Sequence, residues 1–214
     1  MKANKVNAST ADLLNPGHAQ WAGAEQVSVN MQTPPIGNVP SNYFRALDST
    51  KIGVVKEMEV SALHNGESLF FRLTWQDPNK DDGMTSPGAF RDGAGVLFPF
   101  LDTARINNMG SKKEPVNAWC WQAGIDQPRN VTAAGLGTTR REDRSFCAAG
   151  AEWAAGRWSV VISRPFSVAE ADRNVALSPG MTKPVGFAVW EGSNMERAGA
   201  KSFCGKWHEV EIVS

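Results

Sequence analysis

Two polar loops of this sequence each carry one side chain whose lone pair could bind a soft metal centre. Met109 lies in the polar segment N-N-M-G at 107–110, an unusual setting for a packing residue, and a thioether can be an axial ligand to haem iron. Lys201 stands just before an apolar pair at 203–204. A lysine amine binds iron only when neutral, and burial favours the neutral form. The commoner alternatives are that Met109 packs onto the core and that Lys201 is an ordinary solvated lysine.

The other motifs offer less chemistry. The three cysteines, at positions 120, 147 and 204, form neither a C-x-x-C pair nor a C-x-x-C-H segment, which argues against structural zinc and covalent c-type haem. The segment 77–83 begins like a calcium loop, but its glycine falls one place late and Gly88 stands where the bidentate Glu belongs. We interpret this segment as a polar turn. No G-x-S-x-G elbow or Walker P-loop is present, so the sequence identifies no catalytic residue.

Composition excludes several classes of protein. The 214 residues include 22 Lys and Arg and 22 Asp and Glu, with no long basic run, so the sequence lacks the charge pattern of a nucleic-acid-binding protein. The most apolar runs, such as 95–101, are far shorter than the roughly 20 residues of a membrane span. No apolar stretch follows the first five residues, so we expect no Sec signal peptide in this chain.

Period-2 alternation is the dominant pattern and predicts β-strands. Apolar residues alternate with polar ones at 57–62 and again at 69–75, and the Asn65-Gly66 pair between these runs predicts a β-hairpin. Similar patterns predict further strands at 25–33, 116–122, 158–163, 185–189 and 208–212. The continuous apolar run at 93–100 predicts a strand buried on both faces.

Many short strands joined by glycine-rich connections predict an all-β fold, a β-sandwich with few short helices. We expect residues 1–24 to form an extended N-terminal arm and residues 25–214 to form a single domain. A short helix is expected within 167–177. The long connections at 101–115 and 191–205 contain Met109 and Lys201, and loops of this length are usually functional or disordered.

Five separated segments, in the same order, resemble the haem b-binding gamma subunits of type II molybdenum enzymes. This family includes the gamma subunits of ethylbenzene dehydrogenase, dimethylsulfide dehydrogenase, selenate reductase and chlorate reductase, and the likeness is greatest to the first. The matching segments are RDGAGVLFP at 91–99, NMG at 108–110, PVNAWCW at 115–121, GFAVWEGS at 186–193 and GAK at 199–201. The resemblance covers nearly the whole chain from about residue 26.

The resemblance implies a β-sandwich whose long loops form a pocket for one non-covalent haem b. It implies Met109 and Lys201 as the axial ligands, with Phe98, Trp119, Trp121 and Trp190 as expected pocket walls. It also implies a non-catalytic electron-transfer role beside a molybdenum alpha subunit and an iron–sulfur beta subunit, with a soluble acceptor such as a cytochrome. Anaerobic ethylbenzene hydroxylation by the complex, and a periplasmic location reached by export with a partner, are further expectations.

A different class of protein shares the same fold signals. The sequence has eight tryptophans, and aromatic residues on a β-sandwich can form a sugar-stacking face. A carbohydrate- or ligand-binding module without haem is therefore the alternative. It would need exposed aromatic rings and no iron.

Overall fold

The computed structural model describes residues 1–34, 49–84, 88–170 and 172–214, which form thirteen strands, one short α-helix and several single-turn 3₁₀ helices. The strands are β1 (Lys2–Lys5), β2 (Gln26–Asn30), β3 (Glu57–His64), β4 (Ser68–Gln76), β5 (Gly93–Pro99), β6 (Val116–Gln122), β7 (Arg129–Ala133), β8 (Arg140–Arg141), β9 (Ala148–Ala154), β10 (Arg157–Pro165), β11 (Thr182–Trp190), β12 (Ser202–Phe203) and β13 (His208–Ile212). The helix α1 spans Thr10–Leu14. The all-β prediction is confirmed.

The predicted hairpin joins β3 to β4. The two strands are antiparallel, with Leu63 opposite Phe70. The backbone N–H of Asn65 donates to the carbonyl of Ser68, and Gly66 has a φ of 91°, which few residues other than glycine adopt without strain. The alternating sequence and the turn residues therefore agree on one register.

The strands fold into two layers that face each other. One layer contains β9, β10, β4, β3, β1 and β13 in spatial order, with β2 beside β3. The other contains β12, β11, β5, β6, β7 and β8. Strand β11 joins the layers, because residues 182–185 pair with β13 and residues 186–190 pair with β5. The predicted β-sandwich is confirmed.

Aromatic rings from both layers form the centre of the core. The ring of Phe71 on β4 contacts those of Phe98, Trp119 and Phe187 on the opposite layer, at centroid distances of 5.9, 6.3 and 6.0 Å. Each such pair contributes roughly 0.5–1.5 kcal/mol beyond the burial of its surface. The inner faces of β5, β6 and β11 are therefore committed to packing, and only their outer faces are available for a site.

Residues 1–24 are not an extended arm, which corrects the expectation from the sequence. Strand β1 lies between β13 and β3, parallel to both. The helix α1 begins with a capping box at Ser9, and Trp21 is buried against Leu13 and Phe70. This segment has little periodicity because it contains only one four-residue strand and a few anchoring side chains.

The prediction of a helix within 167–177 is also wrong for the described residues of that segment, 167–170 and 172–177. Glu170 has a left-handed φ of 61°, and the side chain of Asn174 donates to the carbonyl of Glu170. The backbone N–H of Val175 donates to Oδ1 of Asn117 in β6. Side-chain hydrogen bonds to the sandwich thus replace the ladder of a helix.

Candidate functional site

The outer face of the layer that contains β5, β6 and β11 carries mostly small side chains. Directly opposed residues of antiparallel strands point to the same side of a sheet, so the pairings Ala188–Gly95 and Gly95–Cys120 put these three residues on the outer face. The residues on this face of β5, β6 and β11 are mostly small: Gly93, Gly95, Ala118, Cys120, Gly186 and Ala188. Small side chains leave room for a large group to lie against the strands.

Trp190 is the one large ring on this face, and glycines permit its position. A Cβ added to Gly95 would lie 3.3 Å from a ring carbon of Trp190 and 3.6 Å from Sγ of Cys120. The indole N–H of Trp190 donates to the carbonyl of Ala198 at 3.1 Å. This bond ties the loop after β11 down over the face.

Met109 reaches the same face from the loop after β5. A 3₁₀ turn, Ile106–Asn108, ends at Met109, whose φ is 55°. Gly110 follows with a φ of 75°, and a Cβ there would lie 2.4 Å from the carbonyl oxygen of Glu114. The N-M-G sequence therefore forms a sharp corner that only glycine can complete, and the N–H of Gly135 donates to the Met109 carbonyl at 3.1 Å.

Lys201 is positioned by the strand that it precedes. Strand β12 pairs with the end of β11, with Phe203 opposite Ala188 and Ser202 opposite Val189. Ahead of it, a β-bridge between Arg197 and Ala200 closes the loop into a tight turn. The short strand thus carries Lys201 to the edge of the outer face.

The two predicted ligands meet over this face. The ε-nitrogen of Lys201 lies 3.8 Å from the sulfur of Met109 and 5.2 Å from the centre of the Trp190 ring. Burial among apolar groups lowers the pKa of the Lys201 amine, and the thiols of Cys120 and Cys204 oppose this shift weakly. A thioether and an amine biased towards its neutral form are both uncharged donors.

A cleft surrounds this pair. A cavity of about 320 Å³ is lined by Met109, Lys201 and Trp190 together with apolar groups such as Leu97 and Ile106. A second cavity of about 520 Å³ shares Trp190, Cys120 and Val131 with the first. The two form one groove, and their volumes lie in the range of cofactor pockets.

The two parts of the groove differ in charge. The second cavity is lined by three arginines, Arg91, Arg129 and Arg197, and by one acidic residue, Glu196. The guanidinium of Arg91 donates to the carbonyl of Ala123 at 2.7 Å, and that of Arg197 lies 3.9 Å from the centre of the Phe90 ring. The groove is therefore apolar around the donor pair and basic at its other end, which suits an amphipathic ligand with acidic groups on one edge.

Two of the expected pocket walls, Phe98 and Trp119, lie away from the groove, and a third, Trp121, only borders it. Phe98, Trp119 and Trp121 are buried between the layers, where Trp121 packs its ring 5.0 Å from that of Trp158 although it also borders the second cavity. They alternate with Leu97, Ala118 and Cys120, which occupy the outer face. The expectation that Phe98 and Trp119 wall the groove is wrong, because both faces of β5 and β6 are apolar and the larger side chains pack inward. Trp190 does line the groove.

Sequence reasoning missed the glycines and Arg129. The glycines at 93 and 95 were included only in a predicted buried strand, whereas they form part of the floor beneath Trp190. A period-2 pattern of small residues on one face of β5 was the available signal. No sequence pattern indicated Arg129 as a site residue, because its place beside Cys120 depends on the pairing of β6 with β7.

The tryptophans do not form an exposed platform. Five of the eight are at most 5 % exposed: Trp21, Trp75, Trp119, Trp121 and Trp158. The ring of Trp190 lies over the glycines inside the groove. This arrangement does not favour the sugar-stacking alternative.

Within the described residues, no helix is long and apolar enough to cross a membrane.

All three cysteines carry free thiols. Burial raises the pKa of each thiol, most strongly that of Cys147, to about 12. Protonated buried thiols are poor nucleophiles, so these cysteines act as small packing groups.

The chain is similar to subunits of several oxidoreductases. It is 32 % identical over 194 residues to a protein of Haloferax mediterranei provisionally named as a respiratory nitrate reductase heme subunit, and it spans 66 % of that protein, slightly under two thirds. It is 28 % identical to the chlorate reductase subunit gamma of Ideonella dechloratans, with 97 % of this chain and 83 % of that one aligned. It is 31 % identical to the dimethylsulfide dehydrogenase subunit gamma of Rhodovulum sulfidophilum, with 90 % and 73 % aligned.

Among solved structures, the fold is similar to that of a Bacteroides uniformis protein provisionally named as carbohydrate-binding. The alignment covers 98 % of this chain and 97 % of the other, with a TM-score of 0.53 and 11 % identity. At this identity the likeness concerns the fold alone.

A family described as ethylbenzene dehydrogenase matches residues 18–146 and 138–202. These matches extend over most of the chain and include Met109, Lys201 and the whole groove between them. The chain therefore belongs to the ethylbenzene dehydrogenase family, among the gamma subunits that its sequence resembles.

Proposed function

We propose that this chain is an electron-transfer subunit that holds one non-covalent haem b in the groove, with Met109 and Lys201 as axial ligands. The observation that carries the proposal is the 3.8 Å approach of the Met109 sulfur to the Lys201 amine at an apolar cavity. Met109 also packs against the buried cluster of Ala104, Val116 and Ala133, so packing accounts for part of its position but not for the buried amine beside it. Their meeting supports a shared role in binding one metal centre.

The donor set suits haem iron. Thioether sulfur is a soft ligand, and the apolar surroundings of Lys201 favour the neutral amine that alone has a lone pair to donate. When bound, haem supplies reversible one-electron transfer between the ferric and ferrous states, and methionine ligation raises its reduction potential. The residues of this chain hold the group, exclude water from one side and set its electrostatic surroundings.

The basic end of the groove supplies counter-charges for the two acidic groups of a haem. We propose Arg129, with Arg197 and Arg91 as neighbours, as the side chains that meet these carboxylates. The small residues of the floor would leave room for a group of this size. Trp190 lies between the two ends of the groove and packs beside it.

The names of the relatives support a proposal about the partner subunits of this chain. The relatives are named as gamma or heme subunits of chlorate reductase, dimethylsulfide dehydrogenase and nitrate reductase. We propose that this chain likewise accompanies a catalytic molybdenum subunit and an iron–sulfur subunit in the periplasm, and passes electrons to a soluble acceptor such as a cytochrome. We also propose that the complex hydroxylates ethylbenzene. This proposal rests on the resemblance of this chain to the gamma subunit of ethylbenzene dehydrogenase.

The visible spectrum of the purified chain, or of the chain reconstituted with haemin, tests the proposal. We expect one haem per chain in a pyridine haemochrome assay, with the spectrum of a low-spin, six-coordinate iron. We also expect the chain to co-purify with two larger subunits from its native source. A folded, colourless protein that does not bind added haemin would contradict the proposal.

A further inference from the structure

Three carboxylates converge at one end of the sandwich, away from the donor pair. Asp77 follows β4, Asp92 precedes β5 and Glu191 follows β11. Each offers an oxygen within 4.8 Å of the other two, and the three residues are 0 %, 0 % and 4 % exposed. Residues distant in the sequence thus form one compact, buried acidic cluster.

Among the described residues, no basic side chain is one of the main electrostatic influences on this cluster. The pKa of Asp92 is raised to about 6 and that of Glu191 to about 8, chiefly by burial and then by the other carboxylates. The electrostatic influences on these two groups, and on Asp77, come from acidic neighbours and hydrogen bonds. Buried carboxylates in such a group must either take up protons or share a cation.

Three hydrogen bonds fix the Asp92 carboxylate in one orientation. Its Oδ1 accepts from the N–H of Gly192 at 2.9 Å, and its Oδ2 accepts from the N–H of Asp81 at 2.8 Å and from the indole of Trp158 at 3.0 Å. These donors come from three separate segments and fix the orientation of the carboxylate. Similar outer hydrogen bonds orient the carboxylates that bind metal ions.

Asp77 provides an independent sign of a ligand. Its Oδ1 accepts from the N–H of Asn79, whereas its Oδ2 is fully buried and no described donor meets it with good hydrogen-bond geometry, although the Trp75 indole and the Glu191 carboxyl are close neighbours of this carboxylate. A buried carboxylate oxygen without a donor is rare in native proteins and calls for a partner that the chain does not supply. This carboxylate belongs to the cluster formed with Asp92 and Glu191.

We propose that Asp77, Asp92 and Glu191 bind one divalent cation of the calcium class. All donors are hard carboxylate oxygens, which Ca²⁺ prefers, and oxygens that share a Ca²⁺ at 2.3–2.6 Å lie at most about 5 Å apart. Backbone carbonyls and water would complete the coordination. The segment 77–83, interpreted from the sequence as a polar turn, then supplies one ligand to a site assembled from three strand ends rather than a calcium loop.

The ion would fasten the base of the loop that carries Lys201. Glu191 caps the 3₁₀ turn Gly192–Asn194, and its backbone N–H donates to the buried carboxylate of Glu196. A cation there would join the ends of β4, β5 and β11 to the start of this loop. Calcium binding should therefore stabilise the whole chain, whether or not the groove holds haem.

Calcium titration of the purified full chain, treated with EGTA and kept free of haem, tests this inference. We expect one Ca²⁺ per chain by isothermal titration calorimetry. At concentrations a hundredfold above Kd, the melting midpoint should rise by about 5–10 °C. Mg²⁺ should give a smaller rise, because it demands stricter geometry and loses water reluctantly.

Asp77→Asn and Glu191→Gln should each abolish the calcium-dependent rise. Because each change also removes repulsion in the empty cluster, we expect both variants to melt no lower than the EGTA-treated parent, which separates a lost site from a damaged fold. Asp82→Asn is the matched control, since Asp82 belongs to the same segment but forms an exposed ion pair with Lys80. An EGTA-treated parent that neither binds Ca²⁺ nor gains stability would overturn the inference, as would an undiminished rise in both variants.

Discussion

The sulfur of Met109 lies 3.8 Å from the ε-nitrogen of Lys201, although 92 positions separate them in the chain. Strands β5 and β11 are antiparallel, so the loops that follow them leave from opposite ends of the layer. Both loops fold back over the outer face and meet near Trp190. This convergence creates a donor pair that neither loop contains alone.

Met109→Ala should change the low-spin ferrous absorption spectrum and lower the reduction potential of bound haem, because a thioether ligand raises that potential. Met195→Ala is the matched control, since Met195 also ends a 3₁₀ turn with a left-handed φ, here 60°, but is 38 % exposed. We expect both substitutions to cost less than about 1 kcal/mol of unfolding free energy. An unchanged spectrum and potential in Met109→Ala would remove this residue from the ligand set.

Lys201→Ala should convert the six-coordinate haem to a form with an open or water-filled axial position. The amine is the only donor that this side chain offers, and its removal leaves an apolar gap. Lys206→Ala, an exposed lysine in the same segment, should leave the spectrum unchanged. Electron paramagnetic resonance of the ferric protein is the measurement, and retention of the parent's low-spin signal in Lys201→Ala would exclude amine ligation.

Gly95→Val should reduce the haem content of the purified chain at least about tenfold while the fold persists. The new side chain would press on the Trp190 ring and on Cys120 and fill the floor of the groove, whereas valine itself suits a strand. Gly23→Val is the control, because an added Cβ there meets no atom within 4 Å. Equal haem content in Gly95→Val and the parent would mean that the ligand does not lie on this floor.

Arg129→Ala should weaken haemin binding about tenfold, as expected for one charge-assisted hydrogen bond at a partly exposed site. Arg144→Ala, which removes an exposed arginine from the chain segment after β8, should leave affinity unchanged. Fluorescence quenching by added haemin measures both affinities. Haemin dimethyl ester, which lacks the acidic groups, should bind the parent and Arg129→Ala equally, and a persistent difference would contradict the assigned role.

His64 should contribute an unfolding free energy that falls as the pH drops below about 6.5, the ordinary pKa of histidine, whereas the raised pKa values of Asp92 and Glu191 act in the opposite direction. His64 is fully buried, Nε2 donates to the carbonyl of Val213 at 2.7 Å and Nδ1 accepts from the N–H of Gly66 at 3.2 Å, so the folded state holds the neutral ring. Burial lowers its pKa in the folded state. The unfolded chain therefore binds the proton more tightly, and the stability present above the unfolded pKa is lost as the pH falls through the folded pKa.

Urea denaturation at several pH values measures this effect. Between neutral and mildly acidic pH, the unfolding free energy of His64→Gln should change in a more stabilising direction than that of the parent, whereas His18→Gln, at a helix cap near the N-terminus, should keep the parent's pH dependence. A slope that is unchanged in His64→Gln would assign the pH dependence to other groups.

Local sequence patterns predicted most of the strands. Alternation at 69–75 and 158–163 places one apolar set on the core side, and the Asn65-Gly66 turn leaves a single register for the hairpin. These features succeed because they depend on neighbours within a few residues. Residues 1–24 lacked such a pattern, and their strand is held by pairing with β3 and β13, at distant positions in the chain.

The sequence by itself determined most of the strands, the fold class and, through family resemblance, the prediction that Met109 and Lys201 are the ligands. Only the tertiary structure decided which face of β5 and β6 packs inward, so that Trp119 lies in the core and Cys120 in the groove. It alone decided that Asp77 is buried beside Asp92 and Glu191. The physical reason is that an apolar strand has two equivalent faces until a second layer covers one of them, and distant residues become neighbours only through strand pairing.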